Sequence, residues 1–106
     1  MEEINQIQLA EFLKFTRDNS VVDYKFDTAY DAIKTYIQSR NIETEEYLAS
    51  ILNSEIIIVR FSAYCCLKIH QSFLSQHSRE KLNEFCRNPS GNNLEIIQMA
   101  KKCFGI

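Results

Sequence analysis

The chain has 106 residues, 45% of them hydrophobic and 25% charged, with a formal net charge of -2 at pH 7. These values are typical of one ordinary globular domain, so we expect a single domain over residues 1–106. A negative chain is a poor general nucleic-acid binder, because neutralising phosphates requires an excess of Lys and Arg.

The charges are divided unevenly along the chain. Residues 1–53 hold ten acidic and five basic side chains, whereas residues 54–106 hold four acidic and seven basic ones. Such an asymmetry is typical of a protein with a binding face. The opening MEEINQIQ carries acids where a secretory signal needs a basic region, and no apolar run approaches the ~20 residues that span a bilayer. We therefore expect a cytoplasmic protein with no membrane and no nucleic acid among its direct partners.

Glycine and proline are scarce, with two Gly and one Pro, so an all-α fold is predicted because a β-rich domain needs far more turn residues. The first predicted helix covers roughly Ile4 to Arg17. Ser20 and Asp23 have the spacing of a capping box, which predicts the start of a second helix that continues to Arg40. Its apolar side recurs at helical spacing and consists of Val22, Phe26, Ala29, Tyr30, Ile33, Tyr36 and Ile37.

Thr44 is predicted to cap a third helix that ends near Leu52. Glu45 and Glu46 would lie in its first turn, where the helix dipole favours acids. This placement alone accounts for the adjacent carboxylates, without a metal or an acid–base role.

The stretch SEIIIVRFSAYCCLKIH, Ser54 to His70, is the most apolar part of the chain. Its polar residues do not alternate with period two, so a strand is excluded, and Asn53 or Ser54 could cap it as a fourth helix. A helix that is apolar nearly all round is buried between neighbours. We expect this helix to be central, with one stripe formed by Val59, Ala63, Cys66, Leu67 and His70.

Two further helices are predicted after the central one. Ser78 would cap the fifth, and Asn92 or Asn93 the sixth, which Gly105 would close. The fifth helix is expected to turn Leu82, Phe85 and Cys86 inward. The sixth contains the apolar residues Ile96, Ile97, Met99, Ala100, Cys103 and Phe104.

A pattern in the central helix recurs in the sixth. Val59-Arg60-x-x-Ala63-x-x-x-Leu67 is followed, thirty-seven residues later, by Ile96-Ile97-x-x-Ala100-x-x-x-Phe104. A shorter amphipathic segment precedes each copy, TEEYLASIL before the first and SREKLNEFC before the second. Two tandem helix pairs, with a small Ala allowing close approach, would explain the recurrence.

The segment LASILNSEIIIVRFSAYCCLKI, at about residues 47–69, resembles the HEAT-like helical repeats, in which a Val–Arg step opens the second helix of each pair. The resemblance implies five to six helices in a short HEAT-like stack of antiparallel helix pairs, with Arg60 as a structural residue. The order YDAIKTYIQSR, then LASILNSEIIIVR, resembles a family of small bacterial HEAT-like domains. That family includes immunity proteins of polymorphic and contact-dependent growth inhibition toxins.

The resemblance therefore implies a non-enzymatic module, an immunity protein that binds and neutralises a cognate protein toxin. Many such toxins are nucleases with a basic active-site cleft. A structural adaptor that holds a peptide or protein subunit through stacked helices is the alternative.

The cysteines and histidines raise the question of chemistry. Consecutive residues on a helix point about 100° apart, so Cys65 and Cys66 cannot share a metal ion, and the chain contains no C-x-x-C. Cys66 and His70 are four residues apart on a helix and could touch, which is the least that a thiolate–imidazole pair requires. We expect instead four free, buried cysteines that serve packing, with His70 ending the helix, no metal and no cofactor. An enzyme built on Cys66 and His70 ranks third.

The second helix supplies the predicted partner-binding site, which comprises Asp23, Tyr24, Asp27 and Asp31. The three acids are spaced four apart, and like charges at that spacing cost a few tenths of a kcal/mol per pair. An exposed Tyr among such acids is typical of a protein-binding hot spot. An ordinary solvated face is the competing interpretation.

Overall fold

In a computed structural model, the backbone is described for residues 2–19, 24–87 and 92–106, and the side chains for 6–19, 25–87 and 92–106. These ranges contain six α-helices, two short 3₁₀ turns and no strand. The helices are α1 (Glu2–Asn19), α2 (Tyr24–Ser39), α3 (Ile42–Ser50), α4 (Ile57–Ile69), α5 (Gln76–Arg87) and α6 (Asn93–Phe104), and the turns are Ile51–Asn53 and Gln71–Phe73. The prediction of an all-α fold with five to six helices is confirmed. The HEAT-like stacking of pairs stays a prediction.

Helix α4 is the centre of the structure, and it packs against each of the other five helices. All five residues of its predicted stripe are buried, as are Phe61, Cys65 and Ile69 on the rest of its circumference. Burial of this much apolar surface outweighs the modest helix-propensity cost of its β-branched residues. The prediction of a central, buried helix is confirmed.

Aromatic rings hold α1 against this centre. The ring of Phe12 meets Phe61 at 5.7 Å and Phe104 at 6.0 Å between centroids, both edge to face. Leu9 and Leu13 of α1 are fully buried beside them. Helix α1 is therefore anchored to both α4 and α6.

The described ranges contain no helix with the length and apolar character needed to cross a membrane.

Helix α3 begins earlier than predicted. Asn41 precedes it, and its side-chain oxygen accepts hydrogen bonds from the backbone N–H of Glu43 (2.8 Å) and of Thr44 (3.3 Å). The prediction that Thr44 caps this helix was wrong, because Asn is at least as good an N-cap and comes first after α2 ends. The chain turns at Arg40, which has a positive φ of 48° and donates its N–H to the Tyr36 carbonyl (2.7 Å).

Two other predicted caps are also displaced. The residue before α4 is Ile56, which makes no side-chain cap, while the Ser54 hydroxyl accepts from the Ile56 N–H at 3.2 Å just outside the helix. At α5 the Ser75 hydroxyl accepts from the Ser78 N–H at 3.3 Å, so Ser78 lies in the first turn. At α5 the earlier of two serines caps the helix, whereas α4 begins without a side-chain cap because its polar residues lie too far before it.

Helix α6 follows its prediction more closely. Asn92 occupies the N-cap position without a side-chain hydrogen bond, and Gly105 closes the helix with a φ of 72°, in the left-handed region that glycine adopts without a Cβ penalty. The capping box predicted for the start of α2, Ser20 with Asp23, and the apolar Val22 lie outside the described residues.

Candidate functional site

A groove runs between α2 and α3 on the acidic half of the chain. Its volume is about 310 Å³. Only two residues, Arg40 and Asn41, separate the two helices, which brings them side by side along the groove. We call this feature the α2–α3 groove; it is lined by Thr28, Asp31, Ala32, Thr35, Glu43, Thr44 and Tyr47.

Negative charge reaches this groove from both helices. Asp31 lies on the α2 wall and Glu43 on the α3 wall, and both are exposed. Asp27 is exposed one turn before Asp31. The ion pairs seen within the described ranges lie elsewhere, and no basic nitrogen there comes within 4 Å of these three carboxylates. The groove therefore has acids on both walls without an ion-pair partner within 4 Å, an arrangement that favours a cationic ligand.

One aromatic side chain accompanies the acids. Tyr47 is partly buried in the α3 wall, and this burial raises the pKa of its phenol. The hydroxyl therefore stays protonated at neutral pH and can donate a hydrogen bond. An aromatic ring held at the edge of a polar groove is the usual form of an interface anchor.

The structure brings together only part of the predicted site. Asp27 and Asp31 both lie on the exposed side of α2, and Asp31 lines the groove. Asp23 lies outside the described residues. Tyr24 begins α2, but its side chain also lies outside the described part of the chain.

The sequence prediction missed the contribution of α3. Glu43 and Tyr47 are four residues apart and so share one side of that helix. The signal was present in the short connection between the second and third helices, because such a connection makes consecutive helices spatial neighbours. A search for acids and aromatics on the facing side of α3 would have found both.

Beneath this surface a buried carboxylate ties three elements together. Glu45 is only 3% exposed, although its neighbour Glu46 is exposed. Its Oε1 accepts from the Tyr36 hydroxyl of α2 at 2.8 Å. Its Oε2 accepts from the Ser78 hydroxyl at 2.8 Å and from the Ser75 N–H at 3.2 Å, both at the start of α5. The expectation that the dipole alone explains Glu45 was wrong.

This hydrogen bonding sets the charge state of Glu45. Burial by itself would raise the pKa of the carboxyl, but the hydrogen bonds from Ser78, Tyr36 and Ser75 outweigh it and hold the pKa below its ordinary value. Burial, together with the Glu45 carboxylate, raises the pKa of Tyr36 in turn. A charged Glu45 and a protonated Tyr36 therefore fix the angle between α2 and α3, which shapes the groove.

Cys66 and His70 have structural roles and do not form a catalytic pair. The Cys66 Sγ is 3.9 Å from His70 Nδ1, but that nitrogen is 2.7 Å from the Cys66 carbonyl oxygen and must donate to it. His70 Nε2 is then free to accept from the Gln6 side-chain amide at 2.8 Å. His70 ends α4 and caps its carbonyls, as predicted. Burial raises the pKa of the Cys66 thiol, so it stays protonated near neutral pH.

The prediction of four buried cysteines holds for only two of them. Cys65 and Cys66 are fully buried, whereas Cys86 and Cys103 are exposed, and all four are free. Phe85 is buried in α5, and Phe104 is partly buried in α6. Each exposed cysteine is next in sequence to one of these and so points about 100° away from it.

Other candidate residues have structural surroundings. Arg60 donates from Nη1 to the Asn93 side-chain oxygen at 2.7 Å, which links α4 to the start of α6 and confirms its structural interpretation. Across the described ranges, no three His, Cys, Asp or Glu side chains come together in a way that could hold a metal ion.

Comparisons of the chain with protein-family models, with curated proteins and with solved structures find no match. The resemblance to HEAT-like immunity proteins therefore stays a prediction from the sequence. The function is argued below from the groove itself.

Proposed function

We propose that this protein is a non-enzymatic binding module whose α2–α3 groove receives a basic segment of a partner protein. The observation that carries the proposal is the pair of exposed carboxylates, Asp31 and Glu43, which have no ion-pair partner within 4 Å and line the groove with Tyr47. Lys or Arg side chains of the partner would pair with the two acids, and an aliphatic stem would pack on the Tyr47 ring.

The groove is suited to binding rather than turnover. It contains no histidine or cysteine, and its titratable groups are acids and a phenol. Nucleophilic or general-base chemistry needs a group activated by a neighbour within hydrogen-bond reach. The buried Glu45 network stabilises the shape of the groove and so reduces the ordering cost of binding.

The most specific form of this proposal is that of an immunity protein that blocks a toxin with a basic cleft. That the partner is a toxin is suggested only by the family resemblance. The acidic groove adds that its charge is complementary to a basic cleft. Acids arranged in this way speed association, because they steer a positive partner before contact.

The test is a kinetic measurement on the partner isolated with the wild-type protein. The double variant Asp27→Asn with Asp31→Asn should slow association, and its association rate should depend less on salt than that of the wild type. Tyr47→Ala should instead speed dissociation, because an anchor acts after encounter. Glu80→Gln with Glu84→Gln, two exposed acids four apart on α5, is the matched control and should change neither rate. Identical kinetics in all variants would place the interface elsewhere.

The identity of the captured partner separates the immunity protein from the structural adaptor. A basic toxin encoded beside this gene would support the first, and a housekeeping subunit would support the second.

A further inference from the structure

A second charged surface lies where the turn Gln71–Phe73 approaches the end of α2. The Phe73 side chain is 50% exposed, and the Arg40 guanidinium carbon lies over its ring at 3.9 Å from the centroid. A guanidinium at this distance is attracted to the negative face of the ring. The stack holds both side chains in one orientation while leaving much of the ring open.

A second arginine reaches the same turn from α5. Arg79 is exposed, and its Nη2 donates to the Ser72 carbonyl at 3.2 Å, next to Phe73 in sequence. Within the described part of the chain, no carboxylate oxygen lies within 4 Å of either guanidinium. One positive group is thus held over the exposed ring of Phe73, and a second is held at the backbone of the residue before it. We call Arg40, Phe73 and Arg79 the arginine–aromatic surface.

The backbone at Arg40 is a poor place for an arginine. Its φ of 48° lies in the left-handed region, where a Cβ crowds the following carbonyl, and Gly or Asn adopts this conformation with less strain. The tight turn between α2 and α3 therefore accounts for the conformation but not for the side chain. The side chain makes its own contact, because the guanidinium stacks on the Phe73 ring.

A shallow groove of about 290 Å³ adjoins the surface. Its lining includes Arg79, the apolar Leu82 and two residues with side-chain amides, Gln71 and Asn83. Amides can pair with both the N–H and the C=O of an extended chain, which a phosphate backbone does not offer.

We propose that the arginine–aromatic surface binds an acidic segment of a partner protein. Asp or Glu side chains would pair with Arg40 and Arg79, whose planar guanidinium groups match carboxylates through two parallel hydrogen bonds. An apolar residue between them would cover the open part of the Phe73 ring. Nucleic acid is the less favourable occupant, because its affinity depends on neutralising many phosphates and this surface offers only two guanidinium groups.

The experiment uses a short fluorescein-labelled peptide of Asp, Glu and Leu, titrated with the full chain at low salt and followed by fluorescence anisotropy. The wild type should bind this peptide more tightly than a peptide in which Lys replaces every acid. Arg79→Gln, Phe73→Ala and Arg40→Asn should each weaken binding, by on the order of fivefold to tenfold. Arg40→Asn removes the guanidinium but suits the left-handed backbone, so a loss of binding would not come from misfolding.

A control variant tests whether the arginine–aromatic surface itself is responsible. Lys101→Gln removes an exposed positive charge at the end of α6 and should leave the affinity unchanged. Equal loss in Lys101→Gln, or no preference for the acidic peptide, would overturn the proposal. Tighter binding of single-stranded oligothymidine than of the peptide would overturn it as well, because the occupant would then be a phosphate backbone.

Discussion

Replacing Glu45 tests how far the buried carboxylate stabilises the fold. It accepts three hydrogen bonds, from the hydroxyls of Tyr36 and Ser78 and from the backbone N–H of Ser75. Glu45→Ala leaves these donors without their acceptor in a buried place. Leaving a buried neutral donor without its acceptor costs about 1–3 kcal/mol, so with three donors affected we expect a loss of unfolding free energy of about 3 kcal/mol.

Glu45→Gln removes the negative charge but keeps the size of the side chain, so it measures the contribution of the charge alone. The amide oxygen can still accept from Ser75 and Ser78, and the Tyr36 hydroxyl can rotate to accept from the amide nitrogen. Only the charge assistance is lost, so the expected cost is about 1–2 kcal/mol at neutral pH. Glu46→Gln changes the exposed neighbour on the same helix and should stay within about 0.5 kcal/mol of the wild type.

The pH dependence gives the sharper test. Because the pKa of Glu45 is lowered in the folded state, its charged form stabilises the protein above the unfolded pKa of about 4.3, and this contribution is lost as pH falls through the folded pKa. The difference between wild type and Glu45→Gln should therefore be constant near neutral pH and shrink below about pH 4. Urea unfolding followed by circular dichroism measures it. A difference that grows on acidification would refute the assignment of a charged Glu45.

Two further outcomes follow from burial. Ala63→Leu and Ala100→Leu should each destabilise the fold by about 1–3 kcal/mol in urea unfolding, because both alanines are fully buried and overpacking forces neighbouring helices apart; a neutral result would show that the contact is loose. Iodoacetamide should label Cys86 and Cys103 quickly in the native protein, and the two buried cysteines only on unfolding. Rapid native labelling of all four, read by mass spectrometry, would contradict the burial of α4.

The helical class and the centre of the fold were predictable because they depend on local composition. Few turn residues and an all-round apolar stretch leave a buried α4 as the simplest solution. The helix starts were harder, because several polar residues compete at each one. Asn41 and Ser75 displaced Thr44 and Ser78 by coming earlier in a suitable backbone, and no sequence pattern ranks such neighbours.

The candidate site was only half predictable for a different reason. The exposure of Asp31 follows from the wheel of one helix, but its partnership with Glu43 and Tyr47 depends on how two helices pack. Glu45 is the extreme case, since its hydrogen-bond donors at the start of α5 lie thirty or more residues away in sequence. In the sequence, a buried carboxylate cannot be told from an exposed one, because its hydrogen-bond donors come close only in the folded structure.

The most direct test of the proposed function is a comparative capture from lysate of the source cells. Three immobilised proteins would be compared by quantitative mass spectrometry: the wild type, the variant Asp27→Asn with Asp31→Asn, and the control Glu80→Gln with Glu84→Gln. A basic protein that is retained by the wild type and the control, lost from the α2 variant, and released by moderate salt is the predicted result. A partner retained equally by all three proteins would contradict the α2–α3 groove as the binding site.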